Sequence, residues 1–299
     1  MHYDFVPMPQ RKPLRWPNGN RLAIILTTNF EYWDPVRDDP APFYPGGPSI
    51  VGGNLAGNVY DNPNYTWREY GQRVGVWRMF DVFDAEGVPS SCTMNAKMAL
   101  ERRPVVEAAL QRGWEIVAHN YVQTDLLTDF TFDEAAEREV IRQTLKVYEE
   151  ACGRKAKGWL SSSLRSTLNT IDLLAEEGLL FITDLLNDDQ PYLVQTRSGK
   201  PMVSVSYTSE VNDFSFLRQG LTVDSGFQMF KEQFDWLYAE SATSGRFMNI
   251  GLHPHVIGQP FRIRALRDFI RYAKQFEGVW FATREEIAEW YLENHESHI

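Results

Sequence analysis

The sequence alternates, seven or eight times, a short apolar run with a longer stretch of helical periodicity. Short apolar runs without polar alternation suit strands buried on both faces, and their regular succession with helices dictates a parallel sheet. The runs are residues 22–26, 88–94, 115–118, 158–162, 179–185, 202–207, 248–252 and 279–282. Helical periodicity covers 68–86, 104–112, 131–152, 168–177, 227–241, 261–276 and 284–293. Thr131 is the expected N-cap of the third helix, with Glu134 closing a capping box. With 299 residues and no linker or internal repeat, the pattern predicts one α/β domain, a closed or nearly closed (β/α) barrel. An open, doubly wound sheet is the alternative. No GxGxxG or GxxxxGK[ST] follows any strand, so neither a dinucleotide nor a P-loop site is supported.

Residues 1–20 read as an arm with four prolines and several charges, lacking the apolar core of a signal peptide. The barrel then takes 21–299. A long segment at 34–65, rich in Pro, Gly, Asn and Asp, interrupts it early. Its aromatics Phe43, Tyr44, Tyr60 and Tyr65 favour an ordered lid or a subunit contact over a structureless loop. The formal charge of -10 argues against a nucleic-acid or anionic-membrane surface. The two cysteines, Cys92 and Cys152, form neither a zinc knuckle nor a disulfide framework. No apolar run approaches the ~18 residues of a membrane span. A cytoplasmic protein is the expectation.

In barrels of this kind chemistry sits at the carboxyl ends of the strands. The residues at those ends are Glu31, His119, Arg165, Asp184, Tyr207 and His253. A lone histidine after a strand is more often a core side chain bonded to a carbonyl. The company of the other strand-end residues raises the catalytic reading of His119, at the end of 115–118. Glu31, between Phe30 and Tyr32-Trp33, suits a general base, and an imidazole at a neighbouring strand end suits its acid. Arg165 would position a carbonyl or orient Glu31, though a surface ion pair accounts for it equally well. Asp188 and Asp189 also fit ordinary turn chemistry, and His255 reads as a loop histidine. A zinc site near His119 would want a second histidine one helical turn on; position 123 is Gln, a poor zinc ligand.

Several motifs together resemble the polysaccharide deacetylase (chitooligosaccharide deacetylase homology) superfamily, and within it the metal-independent allantoinase-like branch. They are Asn29-Phe30-Glu31, the run from Tyr70 to Arg78, Gly113-Trp114-Glu115-Ile116-Val117-Ala118-His119, and Leu164-Arg165-Ser166-Thr167. Asn187-Asp188-Asp189-Gln190-Pro191-Tyr192, Tyr207-Thr208 and Gly251-Leu252-His253 add to them. The resemblance covers nearly the whole chain beyond residue 20 and implies a distorted (β/α) barrel. The deacetylases place adjacent Asp residues at the first strand end, one as base and one on a metal, and a histidine pair four apart. The matching positions here are Glu31, Tyr32, His119 and Gln123, so the base and one histidine are kept while two metal ligands are not.

The resemblance therefore implies ring-opening hydrolysis of a cyclic amide, imide or ureide, with no cofactor. Glu31 would activate water. His119 and His253 would donate to the oxyanion or the leaving nitrogen, and Arg165 would position the carbonyl. Asn29, Tyr32, Trp33, Tyr121, Gln123, Asp184, Asp189 and Tyr207 are the expected substrate contacts. The alternatives are a zinc-dependent N-deacetylase using His119, His253 and an Asp, and a catalytically inactive barrel that binds through its aromatics. The resemblance also implies a homo-oligomer.

Overall fold

The structure is a computed structural model that describes residues 2–41, 47–53 and 55–298. Phe43 and Tyr44 therefore lie outside the described residues. One curled sheet organises the chain. Its strands are β1 (Leu22–Phe30), β2 (Ser91–Met94), β3 (Glu115–Ala118), β4 (Gly158–Trp159), β5 (Phe181–Ile182), β6 (Tyr192–Val194), β7 (Met202–Ser204), β8 (Arg246–Leu252) and β9 (Val279–Phe281). The order is β6-β7-β5-β4-β3-β2-β1-β8, and β9 pairs with Leu22 to Ile24 of β1, below the point where β2 begins. All pairings among the described strands are parallel except that of β6 with β7, so the sheet is a half-barrel within one α/β domain.

β1 pairs with three strands, β2, β8 and β9, and is buried along its whole length. It reaches well past the apolar run 22–26, because its polar half finds partners inside the barrel. Thr27 bonds Asn249, Thr28 lies 2.9 Å from Ser90 Oγ, and Asn29 accepts from Thr93. Buried polar groups satisfied in this way continue a strand at little cost. The apolar half alternates. Leu22, Ile24 and Leu26 face the helices, while Ala23 and Ile25 join a second cluster with Leu14, Trp16, Phe181, Val203 and Tyr291. Trp16 donates its indole N–H to the Arg246 carbonyl and packs against Trp280 and Trp290. Residues from the first twenty thus fill the barrel's lower end.

The predicted helix 68–86 is three pieces: an α-helix at Asn62–Tyr70, a π-helical turn at Gly71–Gly75 and an α-helix at Val76–Glu86. Gly71 and Gly75 press against the loop after β8. A Cβ on Gly75 would lie 2.0 Å from the Pro254 oxygen, and one on Gly71 would lie 2.4 Å from the His255 nitrogen. The predicted helix 131–152 starts later, at Glu134–Cys152, and its cap is Asp133 rather than Thr131. Asp133 accepts from Ala136 N–H, while the Thr131 hydroxyl is taken by the Thr128 carbonyl. Among the described residues, no helix is long and apolar enough to cross a membrane.

Candidate active site

Strand register explains which side chains converge. Phe30, Met94 and Ala118 are Cα partners across β1, β2 and β3, and Thr28 pairs with Leu252 of β8. Glu31, Asn95 and His119 therefore share the next row, with His253 beside Asn29. The Glu31–Tyr32 segment is pinned on several sides. Gln72, in the π-helical turn, donates to the Glu31 carbonyl at 2.7 Å, Asn95 accepts from Tyr32 N–H, and Gln123 N–H donates to the Tyr32 carbonyl.

The Glu31 carboxylate is buried, with Oε1 3.7 Å from His253 Nε2 and 4.0 Å from His119 Nε2. Glu31 Oε2 and His119 Nε2 have no hydrogen-bond partner among the described residues. Buried polar atoms of native proteins are almost always paired, so two such atoms facing one cavity make an arrangement suited to a small polar molecule. The cavity, about 90 Å3, is lined by Asn29, Glu31, His119, Gln123, Tyr207, Asn212, Phe214 and His253 among others.

The two imidazoles are held differently. His119 Nδ1 donates to the Leu160 carbonyl at 2.6 Å, so in the neutral ring Nε2 presents a lone pair to the cavity. His253 Nδ1 donates to Asp213 Oδ1 at 2.7 Å, and Asp213 Oδ2 accepts the His253 main-chain N–H. Burial alone pushes the His253 imidazolium down, but the negative charges of Asp213 and Glu31 outweigh it and raise the pKa above 6.5. Phe214 stacks on the same ring, centroids 3.7 Å apart.

Of the predicted residues, the structure brings together Asn29, Glu31, His119, Gln123, Tyr207 and His253. It does not bring in Arg165. Ser163 and Leu164 both adopt positive φ, 56° and 60°, and the turn carries residue 165 outward to an exposed position. The cation on the cavity wall is Arg218, and the contact that braces Glu31 comes from Gln72. Tyr32 faces away, its ring within 5.2 Å of the Arg102 guanidinium, and Trp33 packs edge-on to His255. Tyr121 is half-buried outside the cavity. Asp184 is buried behind it and accepts the Ser161 N–H at 2.7 Å. Asp189 lies at the opposite end of the barrel, where its carbonyl accepts from Phe247 near the start of β8. His255 is in a loop, yet buried between Trp33, Trp67 and Phe214, and burial lowers its pKa far below 6.5.

Asp213, Phe214 and Arg218 went unassigned in the sequence. The signal for Asp213 was its place beside Glu210 and Asn212 after the strand 202–207; Phe214 and Arg218 had none. A histidine with a raised pKa needs a buried carboxylate, and that stretch was a place to seek one.

The residue types do not suit a divalent cation held as in the deacetylases. Tyr32 is turned away with its phenol pushed up to about 12, chiefly by burial, and Gln123 offers only a neutral amide. Among the described residues, no three His, Cys, Asp or Glu are arranged to hold a metal.

The fold is a curled, mostly parallel half-barrel with a carboxylate and two imidazoles at its carboxyl end, and comparison with known proteins gives its family and reaction class. No protein-family model matches the chain. It is 33% identical to the solved structure of Puue allantoinase, with a TM-score of 0.84 over 94% of this chain and 93% of that one. It is 33% identical to a solved structure from Pseudomonas aeruginosa PAO1 that carries a provisional polysaccharide deacetylase name, with a TM-score of 0.84 over 94% of both chains. A Schizosaccharomyces pombe protein with the same provisional name is 28% identical over 94% of this chain and 93% of its own. The chain belongs to the polysaccharide deacetylase superfamily. It is a hydrolase of carbon–nitrogen bonds other than peptide bonds.

Proposed function

We propose that the protein opens a cyclic amide, imide or ureide by hydrolysis, with water activated by Glu31. The observation that carries the reading is the paired arrangement of Glu31 Oε1 and His253 Nε2, 3.7 Å apart across a small cavity and backed by Asp213. A water between Glu31 Oε2 and His119 Nε2 would give one proton to the carboxylate and direct the other to the imidazole lone pair. Its oxygen attacks the carbonyl carbon, and the carbonyl π pair becomes an alkoxide. When the tetrahedral species collapses, the carbon–nitrogen bond breaks and its electron pair goes to nitrogen. Protonated His253 supplies the proton to that nitrogen, and the proton on Glu31 then restores His253. General acid and base groups so placed contribute ~10²–10⁴ each in rate.

The small size of the cavity at Glu31, about 90 Å3, favours one small ring over a polymer. The likeness to Puue allantoinase supports a ureide-type ring. Tyr32 and Gln123 favour a route that leans on protein donors. The test is ring opening of allantoin, hydantoin, succinimide and an aromatic imide, beside an N-acetyl sugar, before and after chelator treatment. Ring opening that survives the chelator supports the proposal. Activity confined to the acetyl sugar, or lost with the chelator, contradicts it.

A further inference from the structure

A route through protein donors needs a group that stabilises the alkoxide: Glu31 is an acceptor, His119 in its neutral ring presents a lone pair, and the His253 proton goes to the leaving nitrogen. Tyr207 lines the same cavity. Its phenol oxygen accepts N–H bonds from Asn29 Nδ2 and Asn212 Nδ2, each at 3.0 Å. Neither amide can be turned round. Asn29 Nδ2 also donates to the Leu252 carbonyl at 3.1 Å, and Asn29 Oδ1 accepts the Thr93 hydroxyl. Asn212 Oδ1 accepts the Phe214 main-chain N–H at 3.0 Å. Both N–H groups are thereby directed at the phenol.

A phenol oxygen has two acceptor sites and one proton. Two amide donors fill the acceptor sites, so the hydroxyl hydrogen is left as the group's only outward function. No acceptor for it occurs among the described residues. Accepting two hydrogen bonds polarises the O–H and makes it a stronger donor. Burial pushes the phenol pKa up, so the proton stays on oxygen across the working range. The backbone leaves room for this: a Cβ on Gly251 would lie 2.4 Å from the Tyr207 hydroxyl and 2.3 Å from Asn212 Nδ2.

We infer that Tyr207 is the oxyanion donor of the reaction, its O–H aimed at the carbonyl oxygen by the Asn29–Asn212 amide pair. Asn29 and Asn212 are positioning residues that act through it. As the carbonyl π pair moves onto oxygen, the Tyr207 hydrogen bond shortens without proton transfer, and it relaxes when the carbon–nitrogen bond breaks. The inference rests on the ring-opening reading proposed above and adds the group that reading lacks.

The test compares wild type, Tyr207→Phe and protein carrying 3,5-difluorotyrosine at position 207, on the ring substrate turned over fastest. A lost oxyanion donor lowers kcat by ~10²–10³. Tyr207→Phe should do so with KM little changed, since the bond matters most in the transition state. Tyr207→Phe strands two buried N–H groups and can weaken the fold, so the fluorinated protein is the decisive arm. It keeps the oxygen and makes the O–H a stronger donor, and its kcat should rise. An unchanged kcat on fluorination, or a Tyr207→Phe loss seen only in KM, overturns the assignment and leaves the hydrolase reading intact. Absence of ring opening by wild type overturns both.

Discussion

Asp213 holds His253 twice, through the ring Nδ1 at 2.7 Å and through the main-chain N–H at 2.6 Å. This double grip fixes the imidazole's orientation and leaves Nε2 facing Glu31 at 3.7 Å. It also sets the charge. Against the burial that lowers it, Asp213 and then Glu31 raise the His253 pKa.

Asp213→Asn should therefore move the alkaline limb of the rate profile. A general acid must be protonated to act, so activity falls as pH rises through the His253 pKa. Removing the Asp213 charge lowers that pKa and shifts the limb to lower pH, with kcat reduced by ~10²–10⁴. Arg218, whose positive charge lowers the same pKa, gives the opposite sign: Arg218→Ala shifts the limb upward. The measurement is kcat against pH for the three proteins. Limbs that coincide would remove His253 as the acid.

The same pair makes a stability statement. A histidine whose folded pKa exceeds its unfolded value contributes stability that is fully present below the unfolded value, near 6.5, and lost as pH rises through the folded pKa. Thermal midpoints of wild type and His253→Gln should differ more at pH 5.5 than at pH 9. A difference independent of pH contradicts the raised pKa.

The π-helical turn couples the two catalytic strand ends. Gln72 holds the Glu31 carbonyl, while Gly71 and Gly75 let the turn lie against the 254–258 loop that follows His253. Gly75→Ala places a Cβ 2.0 Å from the Pro254 oxygen, backbone that must shift. Overpacking of this kind costs about 1–3 kcal/mol. A lower denaturation midpoint together with a lower kcat is the expected outcome; an unchanged midpoint contradicts the coupling.

How far the sequence went can be traced residue by residue. The (β/α) half-barrel was legible because β1, β3 and β8 each carry a short apolar stretch, at 22–26, 116–118 and 250–252, and such stretches are a local property. Glu31, His119 and His253 converge because they follow such strands, so their position in the row comes with the strand. Arg165 also follows a strand, yet two residues with positive φ turn it away, and side-chain direction across a strained turn is not a local pattern. Asp213 follows no strand directly; its value comes from a histidine 40 positions on. Asp189 misled because the turn holding it runs to the barrel's other end, which only tertiary contacts decide. The run 22–26 was visible as a buried strand, but not that Thr27, Thr28 and Asn29 would continue it, since their partners lie on two other segments, 88–94 and β8.

The central claim is that Glu31 activates the water. The most direct measurement is the ring-opening rate of Glu31→Gln beside wild type, with the thermal midpoint of each. Among the described residues the side chain makes no hydrogen bond through Oε2, and the substitution conserves its shape, so the fold should survive. The account predicts an intact midpoint and a kcat lowered by at least ~10². Turnover near the wild-type rate in a folded Glu31→Gln protein would contradict it.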